Sequence, residues 1–82
     1  MTGIKFLHIT NKGMAFDPQN GDSFQLNEAA RTILELMQDQ VDQDTIIKKL
    51  SEKYEITFEQ ALTDVLEFTI QLKVLGLLSW KI

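Results

Sequence analysis

The feature that most restricts how this chain can fold is a change of hydrophobic period at about Leu26. Upstream, apolar residues stand in short runs rich in aromatic and β-branched types, Ile4 to Ile9 and Met14 to Phe16, bounded by turn signals. Such runs predict strands. Downstream, apolar residues recur at helical spacing, so the chain reads as strands followed by helices. That order implies an α+β fold rather than alternating strand–helix units.

The turns sharpen the strand half. Asn11-Lys12-Gly13 is a tight-turn sequence. Asp17-Pro18-Gln19-Asn20-Gly21-Asp22 places Pro where φ is preset and an Asn-Gly pair where positive φ is tolerated. The second turn predicts a hairpin pairing Met14-Ala15-Phe16 with Ser23-Phe24-Gln25-Leu26, hence a three-stranded antiparallel meander.

Asn27 is a suitable N-cap for a first helix, with Ala30, Ile33, Leu36 and Met37 on its apolar face up to about Asp39. Asp42 caps a second, whose apolar face is Ile46, Ile47, Leu50 and Tyr54, with Lys48, Lys49, Glu52 and Lys53 toward solvent. Thr57-Phe58-Glu59-Gln60 fits a capping box, in which the Thr and Gln side chains reach opposite backbone amides. A third helix runs from there to about Leu75, and Gly76 stands where a left-handed C-terminal residue is wanted. Leu77-Leu78-Ser79-Trp80 reads as a short closing strand or apolar tail.

With 82 residues the chain has material for one core, so residues 1–82 are read as a single domain. Its 44% hydrophobic and 24% charged residues suit a compact globular chain. The formal charge of −4 argues against a nucleic-acid binder, which runs on clustered Lys and Arg, and points to a protein or peptide partner. The absence of cysteine excludes disulfides and thiolate metal sites and agrees with a cytoplasmic location. No secretory signal and no membrane-length apolar run is present.

Nothing in the sequence assembles a catalyst. The single histidine, His8, has no Ser or Cys arrangement around it and supplies one ligand where a metal site usually needs three or four. Asp39, Asp42 and Asp44 resemble a calcium loop only loosely: counting from Asp39, the positions that require Gly and Glu hold Asp44 and Leu50. The glycines are isolated, so no phosphate-cradling loop exists. The reading is therefore a non-enzyme with no cofactor and no metal.

What remains is surface. Projected at about 100° per residue, Phe58, Ala61, Leu62, Val65, Phe68, Leu72 and Leu75 form a stripe about 140° wide on the third helix, its core face. Leu66 and Ile70 lie beyond one margin, with Val74 further round. Either the last strand covers them or they floor a binding groove. If Ser23-Phe24-Gln25-Leu26 is an edge strand, its free backbone groups invite an added strand from a peptide.

The segment Phe16-Asp17-Pro18-Gln19-Asn20-Gly21-Asp22-Ser23-Phe24-Gln25-Leu26-Asn27 resembles the hairpin of PqqD-like proteins. There an aspartate-proline turn and a Gly precede a strand ending in Leu-Asn. Ile33 and Leu36, Ile46 and Leu50, Asp64 through Phe68, and Leu72 through Leu78 fall in the family's order and spacing. Leu34 stands where the family often has Trp, and Gln40 near a customary Gly.

The resemblance implies a winged-helix-like domain that binds the leader of a ribosomally synthesised, post-translationally modified peptide. The leader adds a strand to the third strand and lies against the third helix. It implies peptide contacts at Ser23, Phe24, Gln25 and Leu26, and, on the helix face projected above, at Leu66, Ile70, Lys73 and Val74. It implies a modifying enzyme such as a radical SAM protein as second partner, as in quinone-cofactor (PQQ) biosynthesis. Two rival readings are a winged-helix DNA-binding protein, disfavoured by the single lysine among the acids of the third helix, and a dimerisation module using that helix's apolar margin.

Overall fold

In the computed structural model, which describes residues 4–19 and 21–77, three antiparallel strands precede three helices, an α+β arrangement. The strands are β1 (His8–Ile9), β2 (Met14–Phe16) and β3 (Ser23–Gln25), in the sheet order β1-β2-β3. The helices are α1 (Glu28–Gln38), α2 (Gln43–Tyr54) and α3 (Phe58–Val74). The closing strand expected at Leu77-Leu78-Ser79-Trp80 lies outside the described residues after Leu77, which is itself buried.

The hairpin forms between the expected segments, with Ala15 opposite Phe24 and Phe16 opposite Ser23. Gly21 takes a φ of 80°, a conformation that costs glycine nothing, and the Asp17 carboxylate accepts from the Gln19 amide at 2.9 Å to brace the turn. Asn20, the other half of the Asn-Gly pair, lies outside the described residues. Alternation then sorts the sheet. Ala15 is fully buried, Phe24 packs on the core and Leu26 is buried, whereas Phe16, Ser23 and Gln25 face out.

The start of the chain departs from the expected strand. Ile4–Phe6 is a 3₁₀ turn, and only His8–Ile9 pairs with β2. The reason lies in the spacing: Ile4 and Leu7 are both buried and stand three apart, a helical period, and the Leu7 amide closes on the Ile4 carbonyl at 3.1 Å. Gln38 of α1 then satisfies the carbonyls of Ile4 and Leu7, donating to each at 2.9 Å.

The helix starts follow the expected caps. The side chains of Asn27, Asp42 and Thr57 accept from the amides of Ala30, Thr45 and Gln60. Beyond the cap, the Gln60 side-chain NH2 donates to the Asp64 carboxylate at 2.9 Å. Bonding from Thr45 holds the Asp42 carboxyl below its usual range.

The core joins the inner face of the sheet to Ile33, Leu34, Ile46, Ile47, Leu50, Ala61, Val65, Phe68 and Leu72. Leu34 is fully buried, although the first helix was expected to pack through Ala30, Ile33, Leu36 and Met37, of which only Ile33 is buried. The expected stripe of the third helix is too long at both ends. Phe58 is 56% exposed at the first turn and Leu75 47% exposed at the C-cap, where no packed neighbour extends over them. Tyr54 is only partly buried because its hydroxyl reaches α1, bonding Thr32 at 2.9 Å and the Glu28 carbonyl at 3.2 Å.

Candidate functional site

Among the described residues β1 and β3 are both edge strands with β2 on one side only, and of the two it is β3 that lines a recess with the end of α3. The register of β3 decides which groups face outward. The amide of Leu26 donates to the Gly13 carbonyl and that of Asp17 to the Asp22 carbonyl, each at 2.8 Å. Hydrogen-bonded pairs alternate in an antiparallel ladder, so Phe24 exchanges its bonds with Ala15. The N–H and C=O groups of Ser23 and Gln25 are thereby turned away from β2, the arrangement an added strand requires.

Two recesses lie along this edge. One, a cleft of about 180 Å³, is lined by Asn27, Ala29, Ala30 and Ile33 at the start of α1 and by Asp64, Glu67, Phe68 and Gln71 of α3. The other is small and is lined by Asp17, Asp22, Phe24, Leu75 and Leu77. Asn27, two residues past the strand, thus shares a cleft with the middle of α3, while Phe24 of the strand and the turn before it share a recess with the residues at the end of that helix. Taken together the two recesses form a trough on this side of α3, which the chain follows from Asp22 to Asn27 in the sense opposite to the helix.

The trough is open because its walls are small or polar. Ala29 and Ala30 leave room where α1 passes α3, and Asp64 and Glu67 prefer water. No lysine or arginine lines either recess among the described residues; Arg31 is engaged with Glu35 at 3.5 Å on another face of α1.

Of the residues expected to contact a peptide, Ser23 and Gln25 contribute outward backbone groups and Phe24 lines the smaller recess. Leu26 lies one residue past the strand and is a core residue, 5% exposed. On α3, Leu66, Ile70 and Val74 are exposed and Lys73 is half-buried, and none of the four lines either recess. At about 100° per residue, Val74 falls about 20° beyond Glu67 on the cleft's flank, whereas Leu66 and Lys73 fall on the far side of the helix. Asp64, Glu67 and Gln71, which do line the cleft, are absent from the expected set, and the facing pair Ala29-Ala30 is the signal that marks their flank.

Chemically the trough offers backbone hydrogen bonds, apolar contacts and negative charge. No three His, Cys, Asp or Glu residues converge on a metal-binding geometry among the described residues. No helix among them is long and apolar enough to cross a membrane.

No curated protein and no solved structure gives a significant match. A family model does match, that described as coenzyme PQQ synthesis protein D (PqqD), over residues 13–78. That span runs from the β1–β2 turn through β3, the trough and all three helices, and the chain belongs to the PqqD family.

Proposed function

We propose that this protein is a non-catalytic carrier that binds the leader segment of a ribosomally made precursor peptide along the open edge of β3 and presents it to a modifying enzyme, such as a radical SAM protein. The observation that carries this reading is the register of β3, which leaves Ser23 and Gln25 with outward backbone groups beside a trough that α3 walls. Main-chain bonds would supply affinity and the recesses would select side chains. Family membership supports a role in building a peptide-derived quinone cofactor or a related product.

Holding substrate and enzyme together turns a dilute encounter into an effectively intramolecular one. An affinity near micromolar, about −8 kcal/mol, suits a peptide that must leave afterwards. The test is an amide-resolved NMR titration with the leader peptide encoded beside the gene. Shifts should concentrate at Ser23 to Leu26 and along the Asp64–Gln71 flank of α3. Unmoved β3 amides at saturating peptide would overturn the proposal.

A further inference from the structure

Resting on the strand-addition reading, we infer that the trough selects a cationic segment carrying an apolar residue and a basic residue two positions apart, on the strand face turned toward α3. A strand added to β3 continues the alternation of the sheet. Its residues beside Phe24 and Leu26 therefore share the inner face and stand about 7 Å apart.

The two positions meet different surroundings. Beside Phe24 the recess is closed by Leu75 and Leu77, which suits an apolar side chain. Next to Leu26, at Asn27, the cleft presents Asp64 and Glu67, and no lysine or arginine among the described residues lines it. The exposed residues of β3, Ser23 and Gln25, are neutral, so discrimination by charge falls to the α3 wall. The turn end of the trough adds Asp17 and Asp22, so that among the described residues every charged one lining either recess is an acid. A lysine or arginine would be attracted there, and a glutamate repelled, over a screening distance of about 8–10 Å.

The experiment uses the whole protein and three synthetic probes of about eight residues in a Ser/Thr background: Leu and Arg two apart, Leu and Glu two apart, and Leu and Arg three apart. Binding is read from the amide shifts of Ser23 to Gln25. The first probe should bind about tenfold more tightly than the other two, a preference that shrinks as salt is added. Glu67→Lys, at an exposed position, should remove or reverse the preference. Asp64→Asn, which keeps an acceptor for Gln60, should weaken it. Equal binding of all three probes, or tighter binding of the Glu probe, overturns the charge inference and leaves strand addition standing. No β3 shift with any probe overturns both.

Discussion

The two seams along α3 differ in what fills them. Toward α2, the helix shares a core in which Ile46, Ile47, Leu50, Val65 and Leu72 are at most 2% exposed. Toward β3 and the start of α1, the facing residues are Ala29, Ala30, Asp64, Glu67 and Gln71, and a cleft of about 180 Å³ stays open. One helix thus closes one seam and leaves the other available. Side-chain size and charge at a few positions make that difference, with no break in the helix.

The comparison can be broken first on the closed side. Leu50 is fully buried among α2, α3 and the core, and Leu50→Ala should cost about 3 kcal/mol by urea denaturation, from lost transfer energy plus a cavity that cannot collapse. A loss below about 1 kcal/mol would mean that this seam is as loosely packed as the other.

The open side can be tested by closing it. Ala30 is partly buried and lines the cleft, so Ala30→Leu places an aliphatic side chain where an inward-facing peptide residue would sit. Leader affinity should fall at least about tenfold while unfolding free energy changes by less than about 1 kcal/mol. Undiminished binding would show that the peptide's inward side chains go elsewhere.

Much of this contrast was legible beforehand. The change of period at Leu26, the three N-caps and the hairpin follow from local chemistry, and the structure has them. Leu34 was also within reach, since it stands four residues after Ala30 on the same helical stripe. The 3₁₀ turn at Ile4–Phe6 was harder to read, because the run Ile4 to Ile9 has a strand composition that masks the three-residue spacing of Ile4 and Leu7, and the Gln38 contacts that support the turn come from α1.

The flank of α3 that faces the trough was the hardest to read. Projection of a single helix ranks its faces by hydrophobicity, which drew attention to Leu66, Ile70 and Val74. Which flank faces the cleft depends on where α1 and α2 pack, and that flank carries the polar Asp64, Glu67 and Gln71. A cleft wall made of Asp64, Glu67 and Gln71 is invisible to a search for apolar excess.

The smallest effect concerns how each seam is terminated. α1 and α3 end in the same pattern. The amide two residues past the cap reaches back five residues, Val41 to the Leu36 carbonyl at 3.0 Å and Leu77 to the Leu72 carbonyl at 2.9 Å. The residue between is left-handed in both, Gln40 with φ 62° on the closed side and Gly76 with φ 79° on the open side. Glycine adopts that conformation freely, whereas a residue with a Cβ is strained in it by about 1–2 kcal/mol, partly offset by glycine's greater unfolded-state entropy. Gln40→Gly should therefore stabilise the protein by about 0.5–1 kcal/mol, read as a higher urea midpoint at unchanged slope and unchanged leader affinity. A decrease in stability would mean that the Gln40 side chain contributes contacts across the α1–α2 turn that outweigh its backbone strain.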